Sequence, residues 1–412
     1  MKQIILRNLK LIDGTGKEPI SDGVVVINGN KIEQIGSKKK IKIPEDAEVL
    51  DVGEGTILPG LIDAHMHFMG VSSLNNLMFP IEPEPLKTVR AAASCAKLIN
   101  AGFTSVRDMG GIIGVYLKRA IAEGVIQGPR ISSALRILSQ TGGHGDIHML
   151  PIDFVKSRGF GRICDGADEC RKAAREQFRE GADFIKICST GGAMSEKGAP
   201  GFPQFTIDEI SAIVEEARRV KSYVASHAQG AEGINNALKA GVKTIEHGYY
   251  LDNEGMELML KNDAILVPTL VVGDRICTKG DEHGVPEYAL RKARESREVQ
   301  IETIQRARKA GIKIALGTDF NNVPLLPFGE NALELELFVK LVGFSAMEAI
   351  VAGTKISAEA LQMGDKIGTL EKGKFADLIV VNGDPIVDIS CLRNPDNITL
   401  VIKDGIIEKN IS

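Results

Sequence analysis

The 412-residue sequence lacks paired cysteines, long hydrophobic runs and a marked excess of charge of either sign. Its six cysteines form no Cys-x-x-Cys motif, which favours reduced thiols in the cytoplasm over a disulfide framework. No apolar run approaches the ~18 residues of a membrane span, and the N-terminal segment lacks the features of a signal peptide. The formal net charge of -4 gives no electrostatic reason to expect nucleic acid or an anionic membrane as a partner. We therefore expect a cytoplasmic protein that binds neither.

Both ends of the chain are rich in short β-type runs. DGVVVINGNKIEQIG near the N-terminus places two runs around an Asn-Gly turn, and ITLVIKDGIIEKN near the C-terminus places two around an Asp-Gly turn, both of which are hairpin signals. Isolated hairpins are marginally stable and leave open edges. We expect the two ends to pair into one small β-sandwich domain, residues 1–58 plus 358–412, rather than to pack on the core as separate hairpins.

The middle of the chain repeats one sequence pattern: helical residues, a glycine, and a short strand of β-branched residues that ends in a polar residue. Examples are ALKAGVKTIEHG and ARKAGIKIALGTD. Glycine at this point is typical of a helix C-terminus. Thr206 and Glu209 predict a capping box at the start of an amphipathic helix. Repeated units of this kind over residues 59–357 predict an α/β fold with a (β/α)8 barrel, and a doubly wound open sheet is the alternative.

Four of the seven histidines stand at predicted strand ends. LPGLIDAHMHFMG places His65 and His67 one residue apart, so a strand would point both imidazoles the same way. Singly, each polar strand-end residue is more typical of a structural hydrogen bond or a turn cap. Because such residues gather at one end of a barrel, together they predict a zinc site. The full set is His65, His67, Lys186, His227, His247 and Asp319.

Lys186 is the unusual member of this set. In DFIKIC, strand alternation places Lys186 on one face with Phe184 and Cys188. An unpaired ammonium group inside a barrel is unfavourable, and burial lowers the pKa of lysine, so the free amine can react with CO2. The resulting carbamate has two oxygens that can bridge two metal ions. The alternative is a protonated Lys186 paired with Asp319 or Asp108 beside a single metal.

LPGLIDAHMH, the strand-end lysine, the two later histidines, GTD and the β-rich ends together resemble the amidohydrolase superfamily over essentially the whole chain. The resemblance implies a distorted (β/α)8 barrel, hydrolysis at a carbonyl or phosphoryl centre, and Asp319 as general acid/base. It also implies two zinc ions that are bridged by carboxylated Lys186 and a hydroxide. The remaining ligands divide between the ions, the first held by His65, His67 and Asp319 and the second by His227 and His247.

The loop TGGHGD carries a second predicted catalytic residue, His144. Its glycines suit a flexible loop after a strand, with His144 placed to donate to a developing oxyanion. A similar histidine occurs in the superfamily branch that acts on dipeptides and N-acyl amino acids. Within that branch the chain resembles Xaa-Pro dipeptidases and zinc-dependent arginine carboxypeptidase-like enzymes. His148 and His283 are interpreted as ordinary surface histidines.

The resemblance implies a small peptide or N-acyl amino acid substrate, cleaved at its C-terminal amide bond, with C-terminal Arg or Lys preferred. A basic side chain needs a carboxylate, for which Asp146, Glu330 and Glu334 are candidates. Alternatively, Glu334 and Glu336 face water on an amphipathic helix. Further predicted substrate contacts are His144, Gln229, Tyr249 and Tyr250, with Arg136 as another candidate for the substrate carboxylate.

Three other functions fit the same motifs. An Xaa-Pro dipeptidase needs no carboxylate for the substrate side chain, and a cyclic-amide hydrolase of the imidazolonepropionase type needs no contact with a free α-carboxylate. A catalytically silent barrel that binds a small molecule is disfavoured, because every expected ligand position is filled. The resemblance also leads us to expect a homo-oligomer.

Overall fold

The computed structural model describes residues 3–41, 47–50, 55–75, 77–192, 199 and 201–411. Within them the chain forms eighteen β-strands, most of which are short, buried runs rich in aliphatic residues. The strands are β1 (Ile4–Leu11), β2 (Ile20–Asn28), β3 (Lys31–Ser37), β4 (Glu48–Leu50), β5 (Thr56–Pro59), β6 (Leu61–Met66), β7 (Phe103–Asp108), β8 (Arg130–Ser133), β9 (Ile137–Ser139), β10 (Gly161–Ile163), β11 (Ile185–Cys188), β12 (Val224–Ala228), β13 (Thr244–His247), β14 (Ile265–Val267), β15 (Lys313–Ile314), β16 (Leu378–Val381), β17 (Ile398–Lys403) and β18 (Ile406–Asn410).

The same described residues form thirteen α-helices, and none of these is both long and apolar enough to cross a lipid bilayer. The helices are α1 (Met78–Ile81), α2 (Glu84–Asn100), α3 (Gly114–Ala122), α4 (Ile152–Arg158), α5 (Ala167–Arg179), α6 (Ile207–Arg219), α7 (Ala231–Ala240), α8 (Asn253–Asn262), α9 (Leu270–Lys279), α10 (Glu287–Lys309), α11 (Leu333–Leu337), α12 (Ala346–Val351) and α13 (Ser357–Ala360). Shorter 3-10 or π-helical segments are Asp281–His283, Phe338–Val342, Ala352–Ile356, Ile389–Arg393 and Pro395–Asn397.

The two ends of the chain meet in one eight-stranded sheet, the terminal sheet. Its order is β18-β17-β16-β5-β1-β2-β3, with β4 paired to β1. The ends join through the antiparallel pair β5–β16, in which Leu58 lies opposite Ile379. The two predicted hairpins are present as β2–β3 and β17–β18. The described strands form one connected sheet, so the two-layer sandwich is not confirmed, and the domain boundaries 1–58, 59–357 and 358–412 stay predictions.

The middle of the chain contains two parallel sheets that hydrogen bonds join at two places. One is β6-β7-β8, and the other is β10-β9-β11-β12-β13-β14-β15. At one seam the Asp183 N–H donates to the Ser133 carbonyl at 2.8 Å, and at the other the Ala64 N–H donates to the Leu316 carbonyl at 2.8 Å. The fold is therefore α/β with a curled parallel arrangement, as expected. This curvature brings the carboxyl ends of separate strands around one cavity.

Helix ends follow the local signals in the sequence. The capping box at the start of α6 is confirmed, because Thr206 Oγ1 accepts from the Glu209 N–H at 3.3 Å and Glu209 Oε2 accepts from the Thr206 N–H at 2.7 Å. The helix α7 ends at Gly241, whose φ of 97° lies in the left-handed region that glycine adopts without strain. These ends place each helix between consecutive parallel strands.

Candidate active site

Three predicted metal ligands converge at the carboxyl ends of β6 and β15. Asp319 Oδ1 lies 3.4 Å from His65 Nε2 and 3.1 Å from His67 Nε2. One donor atom from each residue lies within 4.8 Å of the other two. Burial raises the pKa of Asp319, but the adjacent imidazoles of His65 and His67 outweigh burial and hold that pKa well below its usual range. Two imidazoles and an ionised carboxylate around one point suit a metal ion such as zinc.

The other predicted ligands line the same cavity, the metal-ligand cavity, which has a volume of about 100 Å³. Between ring centroids, His227 lies 4.6 Å from His247, and His247 lies 5.0 Å from His65. All six predicted ligands therefore face one space. The lining residues are His65, His67, Ile137, His144, Lys186, Cys188, His227, Gln229, His247, Tyr249, Val272, Ile276 and Asp319.

Backbone carbonyls fix the tautomers of two imidazoles. His67 Nδ1 lies 3.0 Å from the Gly110 carbonyl, and His227 Nε2 lies 3.1 Å from the Gly191 carbonyl. Because a carbonyl oxygen only accepts hydrogen bonds, the nitrogen facing it must carry the proton in the neutral ring. The opposite nitrogen, Nε2 of His67 and Nδ1 of His227, then has the lone pair that a metal ion requires.

A buried ion-pair network holds His65. The fully buried Arg107 donates from Nη2 to Glu246 Oε1 at 2.8 Å and from Nε to the Ala64 carbonyl at 2.5 Å. The other carboxylate oxygen of Glu246 lies 2.8 Å from His65 Nδ1. Burial raises the pKa of Glu246, but the charge of Arg107 and the contact with His65 bring it to about 2. An ionised Glu246 therefore orients His65 with Nε2 toward Asp319.

Two predicted ligands adopt strained backbone conformations. His247 has a φ of 73° and Asp319 a φ of 59°, in the left-handed region that non-glycine residues seldom occupy. Side-chain contacts stabilise both segments. His247 Nδ1 lies 2.8 Å from the hydroxyl of Thr269, and the Thr318 hydroxyl donates to Asp63 Oδ2 at 2.6 Å. Strain that neighbouring contacts maintain is typical of functional sites, where it fixes the direction of a side chain.

Lys186 is buried in β11, and burial lowers the pKa of its amine. Among the residues described, no ion pair joins Lys186 Nζ to a carboxylate, although the charges of Glu246 and Asp319 partly oppose the effect of burial on its pKa. Asp108, one of the two partners considered for a protonated lysine, instead accepts hydrogen bonds from the Ser133 hydroxyl at 2.8 Å and the Phe68 N–H at 3.1 Å. The ion-paired alternative therefore has no support in the geometry, and burial favours the uncharged amine that carbamate formation needs.

His144 lies beside the predicted ligands, in the loop between β9 and α4. Its ring stacks on His227 with the centroids 4.0 Å apart, and its backbone N–H donates to Gln204 Oε1 at 2.9 Å. Burial lowers the pKa of His144 to about 4, so the imidazole is neutral at neutral pH. A neutral imidazole has one N–H to donate, which suits the predicted contact with an oxyanion.

The predicted substrate contacts divide into two groups. Gln229 and Tyr249 line the metal-ligand cavity, and Gln229 Oε1 is buried with no hydrogen-bond partner in the described structure. Tyr250 and Glu330 are not among the described lining residues of that cavity, and Glu330 forms an ion pair with Arg275. Direct contact with a substrate held there is therefore supported for Gln229 and Tyr249 but not for Tyr250 and Glu330.

Both interpretations of Glu334 are wrong. Its carboxylate is completely buried and accepts hydrogen bonds from the Leu270 and Val271 N–H groups, at 2.9 and 2.7 Å, at the start of α9. It therefore caps a helix rather than facing a substrate or water. Glu336 is also buried and forms an ion pair with Arg393 at 2.6 Å, so the prediction that it faces water is wrong as well.

Sequence reasoning misses two features, the Arg107–Glu246 pair and a second cavity. A charged residue inside a buried strand, as in SVRD and TIEH, is the signal that could have revealed the pair. His148 and His283 are at least partly exposed, as predicted, but with His144 they line a second cavity next to the first. We call this space the second cavity.

The donor set fits a binuclear metal centre. His65, His67 and Asp319 present donor atoms to one point, and His227 and His247 present two more imidazoles across the same cavity. The lysine between these groups has no carboxylate partner among the described residues, as a precursor of a bridging carbamate requires. Neutral imidazoles and carboxylates are the ligands that zinc prefers.

Comparison with known proteins agrees with this geometry. The chain matches the model of the amidohydrolase family over residues 56–407. It is 35% identical to ochratoxinase of Aspergillus niger over 418 aligned residues, 96% of this chain and 84% of the relative. Two solved structures are similar, a Xaa-Pro dipeptidase with bound methionine (35% identity, TM-score 0.87, 98% of this chain and 99% of that chain) and a prolidase complexed with N-methylphosphonate-L-proline (31% identity, TM-score 0.91, 99% of this chain and 100% of that chain). This chain therefore belongs to the amidohydrolase family.

Proposed function

We propose that the chain is a metal-dependent hydrolase that cleaves the C-terminal amide bond of dipeptides or N-acyl amino acids. The observation that carries the proposal is the convergence of His65, His67 and Asp319 beside Lys186, which has no carboxylate partner within the described residues. Amidohydrolases generally use a binuclear metal centre. The similar structures include a dipeptidase and a prolidase, which supports a short peptide as substrate.

We assign two zinc ions to the metal-ligand cavity. When bound, such ions supply the Lewis acidity that lowers the pKa of a water and polarises the scissile carbonyl. Carboxylated Lys186 would contact both ions. The other ligands would be His65, His67 and Asp319 for the first ion, and His227 and His247 for the second.

Two side chains are placed to handle the proton and the developing charge. Asp319 is held ionised by His65 and His67, so it can take the proton of the attacking water and pass it to the leaving amine. His144, neutral and stacked on His227, donates a hydrogen bond to the oxygen of the tetrahedral intermediate. Both groups line the metal-ligand cavity.

We also infer that the parallel strands close into a distorted (β/α)8 barrel. Hydrogen bonds of 2.8 Å at both seams between the two parallel sheets support closure. A closed barrel explains why residues as distant in sequence as Arg107 and Glu246 meet beneath the site.

For the C-terminal residue of the substrate, we favour proline or another compact apolar residue. The wall of the metal-ligand cavity that α9 contributes is apolar, formed by Val272 and Ile276. The similar structures of a Xaa-Pro dipeptidase and a prolidase point the same way. The second candidate is C-terminal Arg or Lys, which Asp146 favours because its carboxylate lines the adjacent second cavity.

A substrate panel tests these assignments. Zinc-loaded protein is given dipeptides and N-acetyl amino acids that end in Pro, Arg or Lys, together with a cyclic imidazolone. We expect the highest kcat/KM for substrates ending in Pro and no turnover after chelation of the metal. Faster cleavage of Arg and Lys substrates would favour the second candidate. Cleavage of the cyclic imidazolone alone would contradict the proposed function.

A further inference from the structure

The second cavity has both polar and apolar walls, with apolar side chains contributing the larger share of its surface. Its volume is about 340 Å³, and His144 lines both this cavity and the metal-ligand cavity. Its apolar surface comes from three separate parts of the chain: Leu77 before α1, Met149 and Phe160 on either side of α4, and Tyr288 at the start of α10. A ligand whose scissile carbonyl lies beside His144 is therefore adjacent to both cavities.

Polar groups orient such a ligand. The metal-ligand cavity contains the side-chain amide of Gln229 and the hydroxyl of Tyr249, whose N–H and O–H groups can donate to a carboxylate. The second cavity contains Asp146, which repels a carboxylate. The free α-carboxylate of a dipeptide or N-acyl amino acid therefore belongs on the side of Gln229 and Tyr249.

We propose that the second cavity binds the acyl part of the substrate, on the carbonyl side of the scissile amide, and selects a bulky, mainly apolar acyl group. The inference rests on the proposed function. With the carboxylate directed toward Gln229 and Tyr249, the acyl part is the portion that extends past His144. Walls formed by Leu77 and Met149 among others suit an aromatic or large aliphatic group, because each buried carbon adds to binding.

A binding measurement tests the proposal without turnover. The chain has no tryptophan, so one introduced indole reports only on its own surroundings. Met149→Trp places it in the second cavity at a side chain that is 56% exposed, and Val387→Trp, at a position 83% exposed and outside both cavities, is the matched control. Phenylacetate should change the emission of Met149→Trp alone, and acetate should change neither. An unchanged emission with phenylacetate would overturn the proposal.

Kinetics provide the second arm. A different variant, Leu77→Trp, narrows the second cavity from another wall, so its kcat/KM should fall about tenfold for N-phenylacetyl-L-proline and less than about twofold for N-acetyl-L-proline. Equal losses for both substrates would contradict an acyl site. So would a loss in Asp146→Asn confined to substrates with C-terminal Arg or Lys. If the unmodified chain cleaves no member of the panel, the proposed function fails, and the emission measurement still decides whether the cavity binds an apolar carboxylic acid.

Discussion

The terminal sheet and the parallel strands of the middle differ in how they bury charge. The terminal sheet packs an aliphatic cluster from both ends of the chain, and its buried Asp377 pairs with Arg130 at the junction with β8. The parallel strands bury Lys186 in the wall of the metal-ligand cavity and the Arg107–Glu246 pair behind His65. Burying a charge costs several kcal/mol unless partners compensate. We therefore attribute the buried ion pair of the terminal sheet to the attachment of that sheet to β8. We attribute the buried charges of the parallel strands to the candidate metal site.

The largest expected effect comes from Lys186→Ala. Activity should fall roughly a thousandfold or more, and the metal content should drop below two ions per chain, because the bridging group is lost. Short carboxylates such as propionate should restore part of the activity. Metal content by elemental analysis and kcat/KM check these outcomes.

The matched control is Lys403→Ala in the terminal sheet. Lys403 is also buried, but its Nζ donates to the Gly128 carbonyl at 2.7 Å and pairs with Glu408 at 3.1 Å, and it does not line the metal-ligand cavity. We expect it to lower stability while leaving metal content and turnover close to those of the unmodified chain. Full activity with two metal ions in Lys186→Ala would remove the distinction between the two buried lysines.

Glu246→Gln should produce the next largest effect. It leaves Arg107 without its carboxylate partner and weakens the hold on His65, so zinc affinity should fall about 10- to 100-fold. Asp377→Asn disrupts an ion pair of similar type in the terminal sheet and should lower the free energy of unfolding without changing zinc affinity. Chelator competition and urea unfolding measure the two quantities. Equal zinc affinity in both variants would contradict a positioning role for Glu246.

Gly192→Ala should act on the catalytic groups while sparing the fold. A Cβ at this position would lie 2.4 Å from His144 Cε1 and 3.0 Å from His227 Nε2, so both rings must shift. We expect kcat to fall about 10- to 100-fold with little change in Tm. Gly201→Ala is the control, because a Cβ there meets nothing within 4 Å. If Gly192→Ala is as active as Gly201→Ala, the stacked pair His144–His227 does not position the substrate oxygen.

In both the terminal sheet and the parallel strands, sequence reasoning succeeds where the signal is local. The Asn-Gly and Asp-Gly turns, the box of Thr206 and Glu209, and the paired histidines His65 and His67 each depend on neighbouring residues. The six predicted ligands are brought into one cavity because strand ends are recognisable and parallel strands share a direction.

Contacts between distant segments are what the sequence could not predict. Whether Glu334 faces a substrate or caps α9 depends on where α9 packs, and no local pattern contains that information. The Arg107–Glu246 pair and the second cavity likewise form only when the strands curl. The two-layer sandwich stays a prediction for the terminal sheet, since strand alternation indicates a buried face but not which strands cover it.

The smallest expected effect concerns an ion-pair cluster between the outer helices α5 and α6. None of its residues lines the metal-ligand cavity. Hydrogen bonds from Arg175 and Arg171, opposed by burial, lower the pKa of Glu216 from its usual 4.5 to about 2. A carboxyl whose pKa is lowered on folding contributes stability above about pH 4.5 that is lost as the pH falls toward 2. In Glu216→Gln, the urea midpoint should depend less on pH between about 5 and 3. Glu215→Gln, which removes a more exposed carboxylate bound to Arg171 alone, should change that slope less, and equal slopes in the two variants would show that the buried position of Glu216 adds nothing.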